Sequence, residues 1–206
     1  MKRSICLHKY SISCLVFFLL FFIGCNSLPA QTSEAELVNT SKEVLKLIKS
    51  ADFGHLSEYV HESKGLQFSP YDDVYENGPD TTKFLKQKVK NFMTIEKHYN
   101  WGVYDGSGLD IKLTPKEYYK NFIYDIDFEK MADIVFIGDS KSKTPKGMNI
   151  DLGYIFKIYP NSAVAHYYYK GSPANGFCDL KKLTLVFEKI EGKWFLTGII
   201  HGEKGV

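Results

Sequence analysis

The stretch from Leu183 to Ile200, "LTLVFEKIEGKWFLTGII", constrains the fold more than any other part of the chain. Two runs rich in β-branched and aromatic residues flank Glu191-Gly192, with a glycine where a two-residue hairpin turn needs positive φ. The pattern predicts two antiparallel strands joined by a tight turn. Upstream, "ADIVFIG" from Ala132 and "AVAHYYYK" from Ala163 have the same strand composition. Between them Ile150, Leu152, Tyr154, Phe156 and Ile158 alternate with Asp151, Gly153, Ile155, Lys157 and Tyr159, which reads as a further strand. The second half of the chain is therefore expected to be a sheet of hairpin-linked strands.

The first half reads differently. Ser33-Glu34-Ala35-Glu36 has capping-box spacing, and Leu37, Val38, Val44, Leu45 and Ile48 recur on one helical face. Asp52 is placed to cap a short second helix with Phe53, Leu56, Tyr59 and Val60 on its apolar side. Residues 64 to 78, "KGLQFSPYDDVYENG", read as mostly loop or an edge strand. Asp80 or Thr81 then opens a third helix carrying Phe84, Leu85, Val89, Phe92 and Met93. Trp101 to Leu113 predicts a strand, a turn at "DGSG" and a returning strand. Thr114-Pro115-Lys116-Glu117 is the clearest cap in the chain, with Pro at the first helical position and Glu at the third, before Tyr118, Tyr119, Phe122 and Ile123. Helices first and strands later give an α+β class, N-terminal helices packed on a curved antiparallel sheet. With 206 residues, 44% of them hydrophobic, the chain can bury one sizeable core, and a single domain is expected.

The extreme N-terminus has another character. A basic start, Met1 to Lys9, precedes an apolar run from Leu15 to Ile23 and then Gly24. That run is about nine residues, whereas a spanning helix takes about 20, so residues 1–24 read as a secretory signal rather than a span. Phe22-Ile23-Gly24-Cys25 resembles the lipobox of bacterial lipoproteins, in the looser form seen in spirochaetes, with Phe22 standing where Leu is usual. The resemblance implies cleavage before Cys25, a diacylglyceryl group on its thiol and a further acyl chain, such as palmitate, on the new amino terminus. Two or three chains suffice for stable anchoring. Residues 25–33 would then be the lipidated cysteine and its tether, and residues 34–206 the single α+β domain. Cys6 and Cys14 leave with the signal, Cys25 is lipidated, and Cys178 remains as a lone thiol with no intramolecular partner. Without Lys2, Arg3 and Lys9, 23 basic residues face 24 acidic ones, which is no nucleic-acid footprint.

Two further resemblances concern the domain. Leading helices, then a long antiparallel sheet that closes in a hairpin with Trp194 on its last strand, resemble the NTF2-like cone, a fold that hosts enzymes, binding modules and scaffolds alike. "FSPY", "WGVYDGSGLDIKLTPKEYYKNFIYDIDF" and "LTLVFEKIEGKWFLTGIIHGE", within residues 64 to 203, look like motifs of an uncharacterised family of bacterial secreted proteins and lipoproteins. Many of its members end with a Trp shortly after His-x-Glu, where this chain reads Lys204-Gly205-Val206. The family brings no assigned activity, so no functional residue follows from it.

Candidate site residues come from the strands. If His166 and His201 share the concave side of a cone, they would line a pocket with Tyr104, Tyr154 and Tyr168. The alternative is that each is a strand histidine satisfied by backbone. Glu203, two residues from His201, is placed to orient an imidazole. Asp125 and Asp127 would point to one side of an extended segment, as a hard cation needs, but without a third ligand at useful spacing. "DGSGLD" from Asp105 lacks the alternating oxygen donors of a calcium loop. No Walker loop, Gly-x-Ser-x-Gly, His-Glu-x-x-His or Cys-x-x-Cys occurs. Tyr167-Tyr168-Tyr169 would serve equally as a glycan or peptide platform or as sheet core. The expectation is a lipid-anchored envelope protein, on the outer membrane by preference, that binds a small ligand, glycan or protein without metal or cofactor. The alternative is an envelope hydrolase using the His/Tyr pocket.

Overall fold

A computed structural model describes residues 30–72, 82–143 and 152–203. The signal segment, Cys25, the first part of the tether, Asp80, Thr81, Ile150, Asp151 and the last three residues lie outside the described residues. The helix α1 runs Ala30–Lys49, so it begins three residues before the cap expected at Ser33 and takes in the end of the expected tether. Its Leu37, Val44, Leu45 and Ile48 are buried, the face the periodicity marks. Asp52 caps α2 (Phe53–Leu56), its carboxylate accepting from the His55 N–H at 3.0 Å. The strands β1 (Leu66–Ser69) and β2 (Thr82–Phe84) follow, then α3 (Lys86–Lys90). The strands β3 (Tyr99–Val103) and β4 (Asp110–Leu113) form the expected two-stranded ribbon. Next come α4 (Pro115–Tyr118), a π-helical turn over Tyr119–Ile123, α5 (Phe128–Met131) and β5 (Ile134–Asp139). The chain closes with α6 (Gly153–Ile158), β6 (Ser162–Tyr169), β7 (Lys181–Ile190) and β8 (Lys193–Glu203).

The main sheet has six strands in the order β2-β1-β8-β7-β6-β5. The class is α+β as expected, but the sheet is mixed: β1 runs parallel to β8, with Phe68 opposite Ile199. Of the stretch expected as mostly loop or an edge strand, Leu66–Ser69 is strand and not at the edge, its flanks are turn at Lys64 and bend over 70–72, and 73–78 lie outside the described residues. β1 is an interior strand, and Leu66 and Phe68 are fully buried because both of its neighbours pair with it. β2 takes the edge, where a helix beginning at Asp80 or Thr81 is expected; of that helix, Lys86–Lys90 is α-helical and Phe92–Thr94 a 3₁₀ turn, and Leu85 is exposed. The β7–β8 turn is the one the sequence demands, with Glu191 at φ 50° and Gly192 at φ 84°.

Gly153–Ile158 form a helix, where a strand is expected. A short apolar run fits either period. Here Leu152 and Ile155, three apart, face inward on Phe136, Val164, Val186 and Ile200, so α6 covers one face of the sheet. α1, α2, α4 and the ribbon cover the other. Its core is aromatic: Phe68 sits among Phe84, Phe92, Trp101 and Tyr118, with Trp101 stacked on Tyr118 at 3.9 Å and Phe53 on Phe92 at 4.4 Å. Because both faces are covered, β7 is buried continuously from Leu183 to Phe187, and the surrounding strands show little inward–outward alternation in exposure.

Candidate functional site

Strand register decides which residues meet. His166 on β6 lies opposite Thr184, which lies opposite Ile200, whereas His201 lies opposite Leu183, which lies opposite Tyr167. Cross-strand partners share a face and neighbours alternate, so the two histidines point to opposite sides of the sheet. The shared pocket expected for them does not form. Tyr168 falls on the face of His166, and Tyr154 stands half-exposed on α6, on that same side. Tyr104 alone is brought toward His201: its ring lies 6.2 Å from Phe122, whose ring meets the His201 imidazole at 5.6 Å.

His166 is buried in the layer beneath α6. Its Nδ1 is 2.7 Å from the Thr184 hydroxyl, and its Nε2 has no hydrogen-bond partner. Burial, helped by the Lys182 charge, pushes its pKa down to about 3, so the ring is neutral. No cavity among those described reaches it.

His201 is at the centre of a charged network. The capping box at Thr114, whose hydroxyl accepts from the Glu117 N–H while the Glu117 carboxylate accepts from the Thr114 N–H, starts α4 as the sequence predicts. The chain then widens into the π turn, closed by the Tyr124 N–H bonding Tyr119 O at 2.9 Å. Such turns are rare and cluster at functional sites. This one presents Phe122 to the core and delivers Asp125 to the end of β8. There the His201 Nε2 lies 3.2 Å from Asp125 Oδ2, and its Nδ1 lies 3.0 Å from Pro70 O. Both ring nitrogens are thus engaged, one by a backbone carbonyl and the other by a carboxylate. The ring is wholly buried.

Lys181 completes the network. It sits opposite Glu203 in the β7–β8 register and donates to that carboxylate and, at 2.9 Å, to Asp125 Oδ2. Burial acts to raise the Asp125 pKa, but His201 and Lys181 overcome it and hold the carboxyl below its usual range. Lys181 is likewise pulled down by burial, and Glu203 and Asp125 reverse that and raise it. Asp125 Oδ1 is buried without a hydrogen-bond partner. Beside this pair, Lys182 bonds Asp72, whose carboxylate lies so close over Gly202 that a Cβ there would meet it at 2.5 Å.

These groups open onto a cleft of about 410 Å³ lined by Tyr104, Lys120, Phe122, Asp125, Lys181 and Glu203, among others. A larger groove of about 700 Å³ lies at Leu85, Lys88, Ile95 and Tyr99, but its charges are lysines alone, with no convergent network. The expected Asp125–Asp127 pair is separated: Asp127 turns to Lys49 and the Tyr124 hydroxyl. Glu203 does not orient the imidazole as expected; it holds Lys181, and Asp125 takes the imidazole. Lys181, Phe122 and Pro70 were not legible as site residues, since nothing in their local sequence marks them.

No protein-family model matches the chain, and no curated protein matches it. It is similar to a solved designed NTF2-like protein at 12% identity, over 84% of this chain and 96% of that one, with a TM-score of 0.31. That score is too low to carry an argument. Among the described residues no helix is long and apolar enough to cross a membrane.

Proposed function

We propose that this is a lipid-anchored envelope protein whose domain is a binding module, with the cleft beside Tyr104 and Asp125 as its ligand site. One observation carries the choice of binding over catalysis: His201 is wholly buried with its two nitrogens occupied by Pro70 O and Asp125 Oδ2, and it is not among the residues lining the cleft, where a general base would have to stand. A flat aromatic face at Tyr104, the orphaned Asp125 Oδ1, and the Lys181 and Glu203 side chains at the cleft wall suit a small polyhydroxylated ligand, a glycan fragment above all. The fold is read as NTF2-like, on the strength of leading helices, a long sheet and a closing hairpin with Trp194. The anchor rests on Phe22-Ile23-Gly24-Cys25 and its resemblance to a lipobox.

Intact mass of protein from the native membrane fraction tests the anchor: a chain starting at Cys25 and heavier by two or three acyl chains is expected, lost in Cys25→Ser. Bacterial cell-wall and surface glycan fragments, screened by thermal shift and followed by mass spectrometry, test the domain. Stabilisation without turnover, abolished by Tyr104→Ala, is expected. Turnover that disappears in His201→Asn would establish the hydrolase alternative instead.

A further inference from the structure

We infer that Asp125, His201 and Glu203 form a site for a divalent transition cation of the manganese, iron(II) or zinc kind, at which the Lys181 ammonium is the resident competitor. One donor atom from each of the three residues lies within 4.8 Å of the others, the separation at which a single ion can take all three. An imidazole with two carboxylates suits these metals and leaves coordination positions open toward the cleft.

Two observations beyond the cluster support a ligand there. The Nδ1–H of His201 donates to the Pro70 carbonyl, the second contact by which metal-binding histidines fix the ring and aim Nε2. Asp125 Oδ1 is buried and lacks a hydrogen-bond partner, so the carboxylate keeps an unused acceptor. Lys181 bridges the same two carboxylates that would hold the ion, and so supplies the positive charge in its place. On binding, the ammonium swings out along the cleft wall, the ion takes the position between Asp125 and Glu203, and Nε2 supplies its lone pair to the ion. The ring keeps its Nδ1 bond throughout. The inference rests on the reading of this cleft as a binding site and adds an ion to it.

Manganese(II) is the probe, because it disfavours the thiol of Cys178. The full chain in detergent is titrated, and the free-ion electron paramagnetic resonance signal is followed. One ion per chain is expected. Lys181→Met should tighten binding at least tenfold, and Glu203→Gln and His201→Asn should each weaken it by about 10-fold or more. Melting curves establish that the variants fold; if His201→Asn does not, Lys181→Met and Glu203→Gln decide. Absence of binding up to about 1 mM in both the wild type and Lys181→Met, or affinity indifferent to Lys181, would overturn the inference. If manganese fails while Tyr104→Ala still abolishes a glycan response, the ion is refuted and the binding reading stands; if both fail, the cleft reading falls with it.

Discussion

Lowering the pH from 7.5 to 5 should weaken the fold through His166, and the size of the effect follows from where that ring sits. In the unfolded chain the imidazole titrates near 6.5; in the fold, burial under α6 lowers this to about 3. The folded pKa is the lower of the two, so the unfolded chain takes up the proton first. The neutral ring's contribution is complete above pH 6.5 and is lost as pH falls toward 3. One pKa unit corresponds to about 1.4 kcal/mol, so at pH 5 the unfolded chain has gained about 2 kcal/mol over the fold from this one group. Urea denaturation at pH 7.5, 6 and 5, on wild type and His166→Leu, isolates the term, since the other titrating groups are common to both. Leucine keeps the site filled and cannot titrate. The wild type's stability relative to the variant should drop by about 2 kcal/mol across that range, with unchanged m-values. Parallel stability curves would show that the ring takes up its proton as readily in the fold as in water, and would refute the burial argument.

Phe68→Ala should cost about 3–5 kcal/mol in the same assay, because the ring is wholly buried among four other aromatics and its removal leaves a cavity that rigid rings fill poorly. Asp125→Asn should cost about 3 kcal/mol in the same urea assay by breaking a largely buried pair, since it takes the carboxylate away from the Lys181 ammonium and from His201 Nε2. A cost below about 1 kcal/mol would place that pair among surface ion pairs.

Several elements were legible in the sequence because their signals are local. The capping box at Thr114, the Asp52 cap and the Glu191-Gly192 turn depend on residues within four positions of one another, and each appears where the pattern puts it. Gly153–Ile158 and Thr82–Phe84 were misread because short apolar runs fit two periods, and packing against β6 and β7 in one case and pairing with β1 in the other selects between them.

Sequence by itself determined the α+β class, the position of the closing hairpin, and that His201 and Tyr104 lie in parts of the chain rich in strand. Tertiary structure alone decided that His166 and His201 stand on opposite faces, since alternation within a strand says nothing about which face the partner strand shares. It alone joined Asp125 to a histidine 76 residues away and Lys181 to Glu203 across the β7–β8 register. A charged site of this kind exists only where a π turn and two strand termini converge, and convergence is a property of the packed chain that no local pattern encodes.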